Sequence, residues 1–405
     1  MTGSDNPTWV AGPDYLVAGR YRLRSKLGGG GMGTVWLAHD KTLDRDVAIK
    51  QVFSTAGLDI EEAQQLRESA MREGRNAARL SNPHTVSMYD VTLDRGEPWL
   101  VMEYLPSCSL AQVLGMTGTL PTDQVAQIGA QVADAMAEAH AGGILHRDIK
   151  PGNILIADRG KLAGTVKISD FGISRANGEF VAGDDTMITG TPAYIAPEVA
   201  RGYDPSEASE VFSLGAALYA ALEGQPPFGI DDDAESMMDK AARGEIVPPQ
   251  HTGPLTDVLL RMLEPDPKRR PTMTVARGAL AATIPGAGGS LEYVLNSPLR
   301  ASDGRIPVWV RRASAGGRRA GVPGGTVGGL PPAPQSVPLD RVPRPQGSGE
   351  PLPLWRTTAP VPPRKAASPW ERIPLISEIP RDKLVPAAVL AVALIIIVVM
   401  IVIMV

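Results

Sequence analysis

Eight residues constrain the fold of this chain more than any others. His146-Arg147-Asp148-Ile149-Lys150-Pro151-Gly152-Asn153 lies between the apolar runs Ile144-Leu145 and Ile154-Leu155-Ile156. An ordinary solvated turn does not set five polar functional groups between two hydrophobic runs, and polar groups drawn toward a core need partners there. The preceding stretch, Thr122–His140, carries Val125, Ile128, Val132, Ala135 and Ala139 at three- and four-residue spacing. That is the stripe of a helix packed on a core. A core helix therefore delivers the octapeptide. Further on, a strand over Thr165–Ile168 ends in Ser169-Asp170-Phe171-Gly172.

Transfer of a phosphoryl group to a hydroxyl needs a carboxylate to orient the alcohol, oxygen ligands for a metal ion, and a cation near the transferring group. Asp148, Asn153 and Lys150 suit these three roles, and Asp170 at a strand end suits magnesium against phosphate oxygens. Upstream, strands over Leu23–Leu27 and Val35–His39 flank Gly28-x-Gly30-x-x-Gly33-x-Val35, a loop whose bare backbone can approach phosphates closely. A dinucleotide-binding loop would continue into a helix, whereas Thr34-Val35-Trp36-Leu37 favours a second strand. No Gly-Lys-Ser/Thr follows, which argues against a P-loop. Asp46-Val47-Ala48-Ile49-Lys50 is a further strand whose lysine is apt for holding nucleotide phosphates. The helix-patterned segment Ile60–Leu80 offers Glu61, Glu62, Glu68 and Glu73 as partners for it, and the residues alone do not choose among them.

Taken together over roughly residues 21–283, these blocks resemble the eukaryotic-type protein kinase family, and within it the bacterial (actinobacterial-like) membrane-bound serine/threonine kinases. The resemblance implies an α+β, two-lobed protein-kinase fold over 19–283, with an N-lobe at 19–103 and a C-lobe at 107–283. It implies an ATP site of Leu27, Gly28, Gly30, Gly33, Val35, Ala48 and Lys50, with Glu73 pairing the lysine. Met102 stands as gatekeeper, and Glu103-Tyr104-Leu105 as the hinge that receives adenine. Asp148, Lys150 and Thr191 are the implied catalytic residues. Asn153 and Asp170 are the implied ligands of Mg2+, with Mn2+ as an alternative. His146, Arg147, Phe171, Gly172 and Glu210 are the implied supports, together with a Glu198–Arg270 pair closing the C-lobe. Lys150 matches the serine/threonine form, so the implied partners are proteins bearing serine or threonine hydroxyls. Gly190-Thr191-Pro192-Ala193-Tyr194-Ile195-Ala196-Pro197-Glu198 matches the substrate-positioning loop and disfavours a metabolite kinase. Arg147 before Asp148 goes with control by phosphorylation between Gly172 and Thr191, where Ser174, Thr186 and Thr189 are candidate acceptors.

Two departures stand out. Gly183-Asp184-Asp185 occupies a neighbourhood where the bacterial group often carries two threonines, and its aspartates read either as fixed negative charge or as solvated loop. Glu210 stands where the family has an aspartate bracing the backbone of the catalytic loop. Its extra methylene displaces that brace by about 1 Å, a shift large enough to cost rate. This leaves a second expectation beside the enzyme: a kinase-fold scaffold that binds nucleotide and partners with little turnover.

The remainder of the chain is unlike this part. Of 37 prolines, 18 fall between Pro285 and Lys383, with 14 basic against 7 acidic residues there, in a chain whose net charge is −4. Such a stretch cannot bury enough apolar surface to offset its ordering entropy, so 284–383 reads as a disordered Pro/Gly/Arg-rich linker on an acidic head. Its basic residues suit either anionic membrane lipid or plain solubility. The net charge argues against nucleic acid as a partner. The single Cys108 excludes an intrachain disulfide or a cysteine cluster. Residues 1–18 read as a leader without the pattern of a signal peptide. Leu384–Val405 has no charged or polar side chain over 22 residues, and is expected to form a C-terminal transmembrane helix. Arg381 and Lys383 before it place the kinase in the cytoplasm of a single-pass cell-membrane protein. No extracellular sensor domain is expected, so a membrane-protein partner would supply the signal, with a homodimer as a further partnership.

Overall fold

A strand buried on both faces organises the N-terminal lobe of this computed structural model, which describes residues 11–30, 33–52, 60–171, 192–231, 233–284 and 290–310. The chain divides into two units, Met1–Thr326 and Val327–Val405, and every described residue belongs to the first. The strands are β1 (Leu16–Val17), β2 (Tyr21–Gly30), β3 (Gly33–Asp40), β4 (Arg45–Gln51), β5 (Met88–Asp94) and β6 (Glu97–Glu103). They pair antiparallel in the order β1-β2-β3-β4-β6-β5. Successive side chains of a strand point to opposite faces. On β4, Val47 and Ile49 accordingly join a cluster with Leu23, Trp36, Trp99 and Val101, while Ala48 packs with Ala70, Leu100 and Met102. Ala70 comes from α1 (Ile60–Ala77), which covers that second face.

The lobe begins earlier than expected. Residues 11–18, read as leader, are part of it: Val17 is fully buried, and Tyr15 donates its hydroxyl to Asp94 Oδ2 at 2.6 Å. A two-residue strand has no period to register in the sequence.

The second lobe follows as β7 (Ser107–Ser109), α2 (Leu110–Thr117), α3 (Thr122–Ala141), β8 (Ile154–Ala157) and β9 (Val166–Ile168). Then come α4 (Pro197–Ala200), α5 (Glu207–Glu223), α6 (Ala234–Arg243), α7 (Thr256–Met262), α8 (Met273–Ala282) and α9 (Leu291–Asn296). The expected stripe of α3 is buried in full and packs against α5 and α8. Gly129 permits the approach, since a Cβ there would lie 2.6 Å from Leu218 Cδ1. Ser206 starts α5 through a capping box with Ser209, and Gly224 ends it in the left-handed conformation. The small sheet β7-β8-β9 joins the upper lobe at a parallel bridge between Thr85 and Ile168. There Val86 N–H donates to Ile168 O at 2.9 Å and Ile168 N–H to His84 O at 2.8 Å.

Two expectations at the C-terminal side change. The linker expected from residue 284 does not start there: 290–310 fold onto the second lobe, with Val294, Leu299 and Val310 buried in its core. The expected transmembrane helix is also corrected. No helix among the described residues is long and apolar enough to cross a membrane. The 20-residue α3 carries Asp123, Gln124, Gln127, Gln131, Asp134 and Glu138 along its length. Leu384–Val405 lies outside the described residues. Apolar length is necessary for a span but does not make one, so the single-pass membrane placement and the orientation drawn from it are withdrawn.

Candidate active site

Between the lobes lies a cleft of about 410 Å³, lined by Leu27, Gly28, Val35 and Ala48 from above and Met102, Glu103 and Leu105 at the connection. Asp170, at its inner end, closes the set. Gly30 pairs with Gly33 where β2 turns into β3. Gly33 has φ +108°, and a Cβ there would run into the carbonyl oxygen of Gln51, so this turn admits only glycine.

Lys50 is buried on β4, and its ammonium lies 2.6 Å from Asp170 Oδ1. Burial pushes the Asp170 carboxyl up, but the Lys50 charge and hydrogen bond, with Ser169 Oγ on the other oxygen, hold it below the usual carboxylate range. Glu73, the expected partner, sits on α1 with its side chain outside the described set, so the described ion pair of Lys50 is with Asp170. Asp170 has φ +65° and Arg147 φ +66°, a left-handed backbone that non-glycine residues adopt at a cost of about 1–3 kcal/mol.

The octapeptide is held from several sides. Asn153 donates Nδ2–H to Asp148 O at 2.7 Å and to Asp148 Oδ2 at 2.9 Å, and its Oδ1 has no hydrogen bond among the described residues. Lys150 Nζ lies 2.9 Å from Asp148 Oδ2. His146 Nδ1 accepts from Asp148 N–H, so Nε2 carries the proton and donates to Ser169 O at 2.7 Å. Its ring lies 4.6 Å from that of Phe171. Ser169 N–H donates to Asn153 O at 2.9 Å, so the octapeptide lies against the strand end that carries Asp170 into the cleft. Magnesium is bound by hard oxygens, one or two carboxylates together with substrate phosphates, and Asp170 with Asn153 Oδ1 supplies such a set.

Glu210 reaches the same loop. Arg147 N–H donates to its Oε1 at 2.6 Å, and its Oε2 lies 2.7 Å from His140 Nε2. The longer side chain keeps contact with the loop backbone because His140, at the end of α3, takes up the second oxygen.

The protein kinase domain pattern matches residues 21–279, well over half of the chain. The chain belongs to the protein kinase domain family. Serine/threonine-protein kinase PknB of Mycobacterium leprae is 37% identical over 268 residues, which is 64% of this chain and 42% of that protein. PknA of Mycobacterium tuberculosis is 41% identical over 220 residues, 53% of this chain and 49% of that protein. The crystal structure of the Mycobacterium tuberculosis PknI kinase domain superposes with a TM-score of 0.50 at 24% identity, covering 68% of this chain and 100% of that one, a likeness of fold. The chain spans less than half the length of these two curated relatives.

The kinase domain holds Glu198 and Arg270 as a buried bidentate pair at 2.7 and 2.8 Å. Burial raises the Glu198 carboxyl, and the hydrogen bonds from Arg270 and Ser209 Oγ override it, leaving it below its ordinary value. Gly172, Ser174, Thr186, Thr189 and Thr191 lie outside the described residues. Sequence reasoning missed Lys167, whose Nζ meets Glu103 Oε2 at 2.8 Å and Thr85 O at 3.1 Å, fastening the hinge to β9. Its signal was a lysine between the apolar Val166 and Ile168. It also missed His140, for which no signal beyond a histidine at a helix end was available.

Proposed function

We propose that this kinase domain transfers the terminal phosphoryl group of ATP, with magnesium, to serine or threonine hydroxyls of protein substrates, itself included. What supports this reading is the cluster of Asp148, Lys150 and Asn153, joined through Asn153 O and Ser169 N–H to the strand end that bears Asp170, which pairs with Lys50 and lines a nucleotide-sized cleft. Adenine lies against Ala48, Val35, Met102 and Leu105, and hydrogen-bonds to the backbone between Glu103 and Leu105. Lys50 grips phosphate oxygens, exchanging part of its contact with Asp170 for them. Asn153 Oδ1 and Asp170 hold magnesium, which when bound neutralises charge on the phosphate oxygens. Asp148 accepts a hydrogen bond from the substrate hydroxyl, aims its oxygen in line, and takes up its proton. Lys150, beside Asp148, offsets negative charge on the group in transit.

Incorporation of labelled phosphate from ATP by the purified full chain, into itself or a generic protein substrate, tests the proposal. Asp148→Asn and Lys50→Met should each abolish incorporation while the fold, followed by circular dichroism, persists. A folded wild type that binds nucleotide in magnesium and transfers nothing would overturn it in favour of a scaffold.

A further inference from the structure

The match to the kinase family ends at residue 279, yet the folded chain continues to 310. Ser290 caps α9, accepting from Tyr293 N–H, and the segment beyond α9 runs over the surface of α3. It is fastened chiefly through its main chain. Gln124, Gln127 and Gln131 are buried on α3, three and four residues apart, hence on one face. Gln131 Nε2 donates to Val294 O at 2.9 Å and Ser297 O at 2.8 Å. Gln127 donates to Ser297 O and Pro298 O at 3.1 Å and accepts from Arg300 N–H at 3.1 Å. Gln124 Oε1 accepts the indole N–H of Trp309 at 3.0 Å. Buried amides on a core helix are costly without partners, and the side-chain hydrogen bonds described for these three all lead to this one segment.

The same segment touches the strand that leads into Asp170. Leu299 N–H donates to Gly164 O at 2.8 Å, just before β9. His84, only 3% exposed, stands between the two, with Nδ1 2.8 Å from Val166 O and Nε2 2.9 Å from Leu295 O. Val166 is the first residue of β9, and Asp170 follows two residues after that strand ends. His84 also accepts the Ile168 N–H on its own carbonyl, so it grips β9 through its main chain while its ring is wedged between Val166 O and Leu295 O, to one of which a neutral imidazole donates.

We infer that residues 290–310 form a strap that positions β9, and through it Asp170, for phosphoryl transfer, with His84 as the positioning residue joining strap to strand. The inference rests on the kinase reading for its effect on rate, but the coupling itself does not. A strap that only covered apolar surface would need no contact with β9. This one ends its hydrogen bonds on Gly164 and, through His84, on Val166.

The test uses the full chain and three variants. Leu299→Asp places a charge at a fully buried strap position, and Gln131→Glu sets a carboxylate against two carbonyl oxygens. His84→Leu cuts the junction while leaving the other strap contacts. Residue-resolved hydrogen exchange is followed at Leu299 and Ile168, together with kcat and KM for ATP well below the unfolding temperature. Releasing the strap should speed exchange at both amides. His84→Leu should speed it at Ile168 and leave Leu299 protected. In all three, kcat should fall about tenfold or more, since sub-ångström to ångström displacements of reacting groups cost that much, while KM for ATP stays near wild type. Faster exchange at Leu299 with Ile168 and kcat unmoved would overturn the inference and leave the strap as a cover. If Leu299→Asp does not fold, Gln131→Glu decides the question. A wild type without transferase activity would refute the kinase reading, and the exchange pattern alone would still decide the coupling.

Discussion

The Arg270–Glu198 pair allows a worked prediction. Arg270 uses all five of its N–H donors: Nε to Glu264 O at 2.7 Å, Nη1 to Glu198 Oε1 at 2.7 Å and Ala208 O at 2.9 Å, and Nη2 to Glu198 Oε2 at 2.8 Å and Pro265 O at 3.1 Å. Its guanidinium also lies 5.0 Å from the centre of the Phe212 ring. Arg270→Met removes the cation and keeps most of the packing volume. Glu198 is then a buried carboxylate without its ion partner, which costs about 3–5 kcal/mol. For a domain of this size that corresponds to a fall in melting temperature of roughly 6–20 °C. Arg270→Lys keeps the charge but has three donors on one nitrogen, so it abandons two acceptors and the two-pronged grip. At about 0.5–1.5 kcal/mol per hydrogen bond lost, it should fall between wild type and the methionine variant.

The pH dependence separates this account from simple loss of packing. Glu198 is held below its ordinary range in the folded state, so the stability due to the pair is present above that range and is lost as pH falls through the lowered value. Denaturant unfolding of wild type and Arg270→Met should therefore differ most near neutral pH, and the gap should narrow on acidification. A gap independent of pH, or a lysine variant as unstable as the methionine one, would refute the electrostatic reasoning.

Three further outcomes are expected. Gly33→Ala forces a side chain onto a backbone with φ +108° and against Gln51 O, and should lower the melting temperature and raise KM for ATP, read by steady-state kinetics. Glu210→Ala strips the acceptor from Arg147 N–H, and should reduce kcat by about a hundredfold if a loop shift near 1 Å results, whereas Glu210→Gln, which keeps the reach, should lose far less. Lys167→Met unfastens Glu103 from β9, and should weaken nucleotide affinity, measured by calorimetry, more than it lowers kcat.

Much of this arrangement was legible because it is periodic or chemically dense. The stripe of α3 is a face of a helix, and each of its members is buried. The octapeptide stood out because polar groups are rare between apolar runs. What escaped depends on contacts that side-chain type does not encode. The strap is bound mostly through its carbonyl groups, which every residue possesses, and its apolar anchors Val294, Leu299 and Val310 follow no single period. Its prolines and polar residues therefore resembled a linker. The reach of Glu210 was judged against its length alone, because His140 is seventy positions away and only the fold brings the two within 2.7 Å. The contact between Lys50 and Asp170 likewise depends on where β9 ends, not on the residues around the lysine.

The bridge between Thr85 and Ile168 bears on how the cleft can open. The covalent chain crosses from one lobe to the other between Glu103 and Ser107, and the bridge is a second crossing, made by two main-chain hydrogen bonds. Further contacts widen that second crossing: Asn82 Nδ2–H donates to Asp134 Oδ2 at 2.9 Å and to Glu138 Oε2 at 3.1 Å, and Lys167 Nζ donates to Thr85 O at 3.1 Å. The segment from Ser81 to Val86 is thus bolted to the second lobe along a seam, and opening of the cleft has to swing the glycine turn about that seam and the hinge rather than part the lobes there.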